Sequence, residues 1–309
     1  MSIIDFSSHM VPPILEDVLV FHDAKRSFEY DPNVRLKIMD KYGIEKQVIS
    51  LSAAWLYGLP PEKGSNICGL VNDHISNVVH TNPNRFIGCG ILDLRNIELA
   101  LGEAERVIKK LNFKCLIVGT HQGNRGLDDE YFYPFYEFVV SENIPVFLHP
   151  ISFDGYDLVN EQNGLGTMQT FGWPFETSWA TWKMIVGGIF DKFSRLKIVT
   201  HHLGGMLPHF FGRAKYRFEK ISDKKALKNY SDYFKQIYAD TALDGMSVMT
   251  LMEGYEVFGS KNMIFGSDWP FIDEVISYGE NINAINALPI PSEEKIDILY
   301  NNAKQLLSI

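Results

Sequence analysis

The chain has 309 residues, with 29 Lys and Arg against 38 Asp and Glu, a formal net charge of −9, and 46% hydrophobic residues. This composition is typical of a globular protein, and the negative charge without a Lys/Arg run argues against nucleic-acid and anionic-membrane partners. No apolar run approaches the roughly 18 residues that a membrane span needs. Three cysteines without CxxC spacing, Cys68, Cys89 and Cys115, are expected to be free thiols in a cytoplasmic protein.

Short apolar segments alternate along the chain with longer segments of helical periodicity. The predicted strands are Ile3–Phe6, Gln47–Leu51, Phe86–Ile91, Cys115–Val118, Pro145–Leu148, Lys197–Thr200, Ile237–Asp240 and Met263–Phe265. The predicted helices lie near Asn33–Tyr42, Ile67–His80, Ile97–Leu111, Tyr131–Glu142, Thr177–Phe190, Pro208–Lys220, Ser247–Phe258 and Asp273–Ile285.

Eight β-then-α units predict an α/β fold, a closed (β/α)8 TIM barrel that forms one domain over residues 1–309. An open, doubly wound sheet is the rival. It normally carries a Gly-rich phosphate loop after its first strand, whereas this chain continues into Ser7-Ser8-His9.

Two connections are longer than usual, residues 52–66 and residues 151–176. They are interpreted as loop insertions at one mouth of the barrel, where long loops act as lids or oligomer contacts. Ordinary surface loops with some buried aromatic side chains are the alternative. The aromatic residues of the two segments are Trp55, Tyr57, Phe153, Tyr156, Phe171 and Trp173.

Polar side chains fall at or just past the C-terminal ends of five predicted strands. In a parallel barrel these ends converge on one face, although the residues lie far apart in the chain. Imidazoles and carboxylates gathered in a partly enclosed mouth are the donors that a divalent metal needs. HExxH, P-loop and GxSxG motifs are absent from the sequence. The candidate residues are His9, His149, His201, His202, Asp240 and Asp268.

Four segments together resemble the amidohydrolase-2 family, the branch that contains aminocarboxymuconate semialdehyde, γ-resorcylate and 5-carboxyvanillate decarboxylases. The resemblance covers essentially the whole chain and includes Glu176-Thr177. It implies a (β/α)8 barrel, a dimer or higher homo-oligomer, and one catalytic divalent metal ion, often zinc or manganese. The segments are Ile4-Asp5-Phe6-Ser7-Ser8-His9, Leu148-His149-Pro150, His202-Leu203-Gly204-Gly205-Met206-Leu207-Pro208 and Phe265-Gly266-Ser267-Asp268-Trp269-Pro270-Phe271.

The resemblance implies a role for each matching residue. His9, His149 and Asp268 correspond to metal ligands, and Asp268 also handles protons. His202 corresponds to the acid/base histidine. Arg213 falls where relatives hold the substrate carboxylate, and a solvent-exposed helix arginine is its alternative reading. His201 has no counterpart in the family pattern and is interpreted as a packed residue beside the site.

The opening motif departs from the family at Ser7, where many relatives have the first histidine of HxH. A hydroxyl is a poor ligand for a divalent ion unless it is deprotonated, so the change removes one protein ligand. His9, His149 and Asp268 are still expected to bind a metal with water and substrate in the remaining positions. The weaker site makes manganese or magnesium plausible beside zinc.

Three functions remain open from the sequence. The first is a metal-dependent non-oxidative decarboxylase of a small aromatic or unsaturated carboxylic acid, with Trp173 and Phe171 stacking on a planar substrate. The second is a metal-dependent hydrolase of a C–N, C–O or C–C bond. The third is a barrel whose metal site has decayed into a binding or scaffold protein. Release of CO2, incorporation of water, and absence of both distinguish them.

Overall fold

The computed structural model describes residues 2–15, 31–56, 58–151 and 166–309. Eight parallel strands form one sheet with their order in space equal to their order in the chain. They are β1 (Ile3–His9), β2 (Ile44–Ser50), β3 (Phe86–Ile91), β4 (Cys115–Gly119), β7 (Val146–His149), β8 (Ile198–Thr200), β9 (Ile237–Asp240) and β10 (Met263–Ile264). The strands β5 (His121–Gln122) and β6 (Arg125–Gly126) form a separate hairpin.

The first and last strands close the sheet into a barrel. Phe6 N donates to Phe265 O at 2.9 Å and His9 N donates to Trp269 O at 2.8 Å. Ser8 and Trp269 form a parallel bridge just beyond β10. The predicted (β/α)8 barrel is therefore confirmed, and the open-sheet alternative is excluded.

Helices follow the strands and cover the outside of the barrel. They are α1 (Pro32–Tyr42), α2 (Pro61–Thr81), α3 (Ile97–Lys109), α4 (Tyr133–Ser141), α5 (Trp173–Val186), α6 (Ile189–Lys192), α7 (Phe211–Lys220), α8 (Val248–Phe258), α9 (Asn281–Ala287), α10 (Ser292–Ile296) and α11 (Asn302–Leu306). None of the described helices is long and apolar enough to cross a membrane.

Local sequence explains where several helices begin and end. Asp31 caps α1 by accepting a hydrogen bond from Asn33 N, and Gly43 ends that helix with a φ of 72°. Asn96 caps α3 by accepting from Leu99 N. Both helices begin within one residue of their predicted starts, because a capping side chain acts on its own first turn.

Both predicted loop insertions are shorter than the sequence suggested. Within 52–66, a 3₁₀ turn covers Ala53–Leu56 and α2 already begins at Pro61. Within 151–176, a π-helical turn covers Met168–Gly172 and continues into α5, while Phe153 and Tyr156 lie outside the described residues. Both α2 and α5 carry a proline in the first turn, where proline is favoured because its missing N–H costs no helical hydrogen bond.

Two parts of the chain contain elements that were not predicted. A small antiparallel hairpin, β5 (His121–Gln122) with β6 (Arg125–Gly126), follows β4. At the C-terminal end of the chain, α10 and α11 flank a π-helical turn, Asp297–Asn301. Two-residue strands and short, broken helices give too few repeats of a hydrophobic period to be recognised in a sequence.

The interior is a continuous apolar core that also encloses a set of buried polar groups. Every residue of β1 is buried, including the polar Asp5, Ser7, Ser8 and His9. The three cysteines are buried and free, as predicted. The ends of β1, β7, β8 and β9 carry the candidate site residues, so the fold brings these ends to one mouth.

Candidate metal centre

Three imidazoles meet at the mouth of the barrel. His9 is the last residue of β1, His149 the last of β7, and His201 follows β8 directly. The ring centroids of His9 and His149 are 5.0 Å apart, as are those of His149 and His201, and those of His9 and His201 are 6.0 Å apart. One nitrogen from each ring lies within 4.8 Å of the other two, so the three could hold one metal ion.

Asp268 brings a carboxylate to the same point. Its Oδ1 lies 3.1 Å from His9 Nε2 and 3.4 Å from His201 Nε2, while its Oδ2 lies 3.6 Å from His202 Nε2. Asp268 has a φ of 55°, a conformation that costs on the order of 1–3 kcal/mol in a residue other than glycine. Hydrogen bonds from Ser267 N and Asp268 N to Ser7 O, at 3.1 and 2.8 Å, hold it there.

The outer nitrogens of the imidazoles have fixed partners. Ser50 Oγ is 3.2 Å from His9 Nδ1, Pro150 O is 2.7 Å from His149 Nδ1, and Asp240 Oδ2 is 2.6 Å from His201 Nδ1. Such partners leave Nε2 directed inward and fix the ring orientation, as in many metal sites.

A tight turn places His202 beside His201. Their rings stack with centroids 3.8 Å apart, and His202 and Leu203 have φ values of 50° and 53°. Asp240 Oδ1 accepts a hydrogen bond from His202 N at 2.9 Å, so one carboxylate holds both histidines. Sequence reasoning left the roles of His201 and Asp240 open, and the structure brings both to the centre of the site.

Charge and burial give the site groups different protonation states. Burial lowers the pKa of His9 and lowers that of His149 well below its ordinary value. Burial also opposes ionisation of Asp268, but the nearby imidazoles of His201, His202 and His9 hold its pKa well below the usual range. Two imidazoles are therefore neutral and one carboxylate is ionised at neutral pH, the forms that bind a metal ion.

His201 differs from the other two imidazoles. Burial lowers its pKa, but the carboxylates of Asp240 and Asp268 outweigh burial and raise the pKa to about 10. Binding of a metal ion at Nε2 would have to displace a proton from this ring. The positive charge of the metal ion would favour that loss, because it opposes the effect of the two carboxylates on the ring.

Buried atoms without partners show that the donors fit a cation. Among the described residues, His9 Nε2, His201 Nε2 and Asp268 Oδ1 accept or donate no hydrogen bond of acceptable geometry. Leaving such atoms unsatisfied is costly in a protein interior. A divalent ion at their meeting point would satisfy all three, so nitrogen and oxygen donors of the right type and number are present.

Ser7 is fully buried, but its hydroxyl does not face this point. Ser7 Oγ lies 3.4 Å from His201 Nδ1, the nitrogen that faces Asp240. The expectation that Ser7 is not a ligand stays a prediction, and its position agrees with it.

Aromatic side chains border the centre. The Trp173 ring centroid is 6.4 Å from that of His149, and its buried indole N–H has no hydrogen-bond partner among the described residues. Phe271, at 5.4 Å from His9, and Trp55, at 6.4 Å from Phe271, were not selected from the sequence. Phe271 ends the same family-resembling segment that contains Asp268, beginning at Phe265. Its closeness to Asp268 in the chain was the sequence signal that could have placed it at the site.

Two predicted substrate residues lie on the surface. Phe171 is 61% exposed on the π-helical turn before α5. Arg213 is exposed on α7, with its guanidinium over the Phe210 ring at 5.3 Å. In a single copy of the chain these positions do not place either side chain against the metal centre.

A separate cavity of about 490 Å³ lies between β4, the small hairpin and α5. Glu176 and His121 line it; Glu176 Oε2 is 3.8 Å from His121 Nε2 and accepts a hydrogen bond from Thr120 Oγ1 at 3.0 Å. None of the candidate metal residues lines this cavity. It adjoins the site through Thr120, whose N donates to His149 O at 3.1 Å.

Comparison with known proteins adds to this geometry. A family model described as amidohydrolase matches residues 5–309. The chain is 28% identical to the 2-amino-3-carboxymuconate-6-semialdehyde decarboxylase of Dictyostelium discoideum, over 91% of this chain and 77% of that protein. It is 29% identical to the gamma-resorcylate decarboxylase of a Polaromonas species, over 89% and 86%. The structure of a Polaromonas dihydroxybenzoic acid decarboxylase with bound manganese and the inhibitor 2-nitroresorcinol is similar, with a TM-score of 0.86, 25% identity and coverage of 99% and 97%.

Proposed function

The chain belongs to the amidohydrolase family, and we propose that it is a metal-dependent, non-oxidative decarboxylase of a small aromatic or unsaturated carboxylic acid. The observation that carries the proposal is the position of Asp268. One of its oxygens faces the imidazoles of His9 and His201, and the other faces His202. Asp268 can therefore bind a metal ion through one oxygen and exchange a proton with His202 through the other.

His9, His149 and Asp268 would hold the metal ion. The donor set of neutral imidazoles and one carboxylate suits zinc or manganese, and magnesium is a further candidate. Manganese is supported by the bound ion of the Polaromonas relative. When bound, a divalent ion would act as a Lewis acid on the oxygens of the substrate.

His202 is assigned the role of general acid, with Asp268 Oδ2 as its proton partner. The acid adds a proton to the carbon that bears the carboxylate. The bond from that carbon to the carboxylate then breaks, CO2 leaves, and the bonding electrons restore the conjugated system. One proton from solvent replaces the lost CO2, so charge and atoms balance. A positioned acid of this kind contributes about 10²–10⁴ in rate.

The surroundings favour a planar substrate. The aromatic side chains of Trp173, Phe271 and Trp55 border the centre, and a planar substrate stacked against them would be shielded from water. The indole N–H of Trp173, which has no partner among the described residues, offers a hydrogen bond to a substrate oxygen. Arg213 and Phe171 stay proposed substrate residues that would have to act from the exposed surface.

The test uses the full-length protein loaded with Mn²⁺ and, separately, with Zn²⁺. It is incubated with carboxyl-¹³C-labelled γ-resorcylate and related hydroxybenzoates in D2O. We expect labelled CO2 and one deuterium at the carbon that lost it. His202→Asn should lower the rate by 10²–10⁴-fold, whereas the exposed His209→Asn control should not change it. Incorporation of ¹⁸O from water without CO2 would replace this proposal with a hydrolase, and no turnover of any acid would favour a decayed site.

We also propose that the protein works as a homodimer or higher homo-oligomer in the cytoplasm. The free, buried thiols support a reducing compartment. Light scattering of the purified protein measures the oligomer directly, and a monomeric mass would contradict that part of the proposal.

A further inference from the structure

We propose that His201 is itself a metal ligand and takes the place of the imidazole that Ser7 lacks. The inference rests on the metal centre of the proposed function but assigns a ligand set that the sequence pattern does not contain. The centre would then be formed by His9 Nε2, His149 Nε2, His201 Nε2 and Asp268 Oδ1.

The orientation of His201 leaves one nitrogen for a metal. The ring is fully buried, and its Nδ1 faces Asp240 Oδ2 at 2.6 Å. Nε2 therefore lies on the opposite side of the ring, where it has no hydrogen bond of acceptable geometry among the described residues. A packed residue without a ligand would leave this buried nitrogen unsatisfied, and interiors rarely do so.

The spacing of the donor atoms is that of ligands around one ion. Two donors at about 2.1 Å from the same ion are separated by about 3.0–3.4 Å for octahedral to tetrahedral angles. Asp268 Oδ1 lies 3.1 Å from His9 Nε2 and 3.4 Å from His201 Nε2. Within the part of the chain that the structure describes, two groups of side chains have donor atoms within 4.8 Å of one another, and His201 belongs to both, one with His9 and His149 and one with His202 and Asp268.

Ser7 and His201 share one space. Ser7 Oγ is 3.4 Å from the His201 ring, and both residues are fully buried. Gly266 fills the gap behind them, because a Cβ at that position would come within 2.8 Å of Ser7 Cβ and 3.1 Å of Asp240 Cβ. An imidazole at position 7 would therefore need the space that the His201 ring occupies. One imidazole can be supplied from β1 or from the end of β8, but not from both.

The first test counts nitrogen ligands in the wild-type protein. Pulsed EPR of the Mn²⁺-loaded protein is expected to detect three coordinated imidazole nitrogens. Two nitrogens would overturn the proposal, because His9 and His149 alone account for them. This measurement needs no variant and no turnover.

The second test measures Mn²⁺ dissociation constants of variants, with circular dichroism as the check of folding. His201→Ala should raise the dissociation constant more than 100-fold, beyond the 10–100-fold typical of groups that only support a ligand. His202→Ala, the matched change at the adjacent buried histidine, should raise it by no more than the 10–100-fold typical of a supporting group. Equal effects of the two substitutions would overturn the proposal.

The third test exchanges the imidazole between the two strands. Ser7→His combined with His201→Gly should recover at least tenfold of the affinity lost in His201→Gly. Ser7→His alone should not tighten binding. No recovery in a folded double variant, or tighter binding in the single variant, would contradict the shared space.

The outcomes also separate this inference from the proposed function. Three nitrogen ligands without CO2 release would overturn the decarboxylase assignment and support the ligand set. CO2 release with two nitrogen ligands would support the decarboxylase assignment and overturn the ligand set.

Discussion

The two oxygens of Asp268 have different neighbours, and this asymmetry gives one residue two roles. Oδ1 faces His9 and His201, and Oδ2 faces His202. Asp268 is 5% exposed, and the surrounding imidazoles favour its ionised form. Loss of this residue would therefore remove a ligand and a proton partner together.

At the residue scale, Asp268→Ala and His149→Ala are each expected to weaken metal binding by more than 100-fold and to abolish nearly all activity. Ser7→Ala should retain metal within about threefold, because the hydroxyl faces the outer nitrogen of His201. Metal analysis of the three proteins after gel filtration measures this. A large loss of metal from Ser7→Ala would contradict the assignment of Ser7 as a non-ligand.

At the element scale, a buried polar network joins β1 and β2 to the segment that carries Asp268. Asp5 accepts hydrogen bonds from Ser267 N at 3.0 Å, Ser267 Oγ at 2.7 Å, Gln47 Nε2 at 2.9 Å and Tyr278 OH at 3.0 Å. On the other side of Gln47, Arg35 donates to Gln47 Oε1 at 2.8 Å and to the backbone oxygen of His9. The network fixes the strand ends that present His9 and Asp268.

This network predicts a specific pH dependence of stability. Burial raises the pKa of Asp5 to about 6, despite the four donors that favour its ionised form. Between pH 4 and pH 6 the folded state therefore binds more protons than the unfolded state, so the free energy of unfolding falls as the pH rises. A shift of about two pKa units corresponds to about 3 kcal/mol.

Urea denaturation of the wild type and of Asp5→Asn from pH 4 to pH 7 isolates this contribution. The stability of the wild type relative to the variant should fall by about 2 kcal/mol over that range, because the unfolded carboxyl is already partly ionised at pH 4. The exposed Asp223→Asn control should show a constant difference. A constant difference for Asp5→Asn as well would show that Asp5 is ionised throughout.

At the scale of the whole molecule, the C-terminal helices belong to the closure of the barrel. Phe265 N donates to Ile298 O at 2.9 Å, directly beyond β10. Ile298, Leu299 and Leu306 are buried in the core. The segment that sequence periodicity missed therefore covers the seam between the first and last strands.

Ile298→Ala should lower the free energy of unfolding by about 2–5 kcal/mol, because it opens a cavity at this seam. Ile296→Ala is the matched control, since Ile296 is 40% exposed, and it should change stability by at most about 0.5 kcal/mol. Thermal denaturation of both variants measures the difference. Equal stability of the two variants would show that the seam does not depend on this segment.

Periodicity was sufficient for the barrel strands because each strand is an apolar run of its own. Phe86–Ile91 and Ile237–Asp240 have the predicted bounds. Periodicity failed for turns whose conformation depends on contacts with distant parts of the chain. The 3₁₀ turn Ala53–Leu56 and the π-helical turn Met168–Gly172 carry no hydrophobic repeat that distinguishes them from loops.

The sequence by itself determined the alternation of strands and helices, and with it the mouth where His9, His149 and Asp268 were expected. It also determined the absence of an imidazole at position 7. Only the tertiary structure decided the orientation of His201, because that depends on Asp240, 39 residues further along the chain, and on the space beside Ser7. Strand ends follow from local hydrogen bonding and burial, whereas the direction of a side chain at the mouth depends on packing between strands distant in sequence.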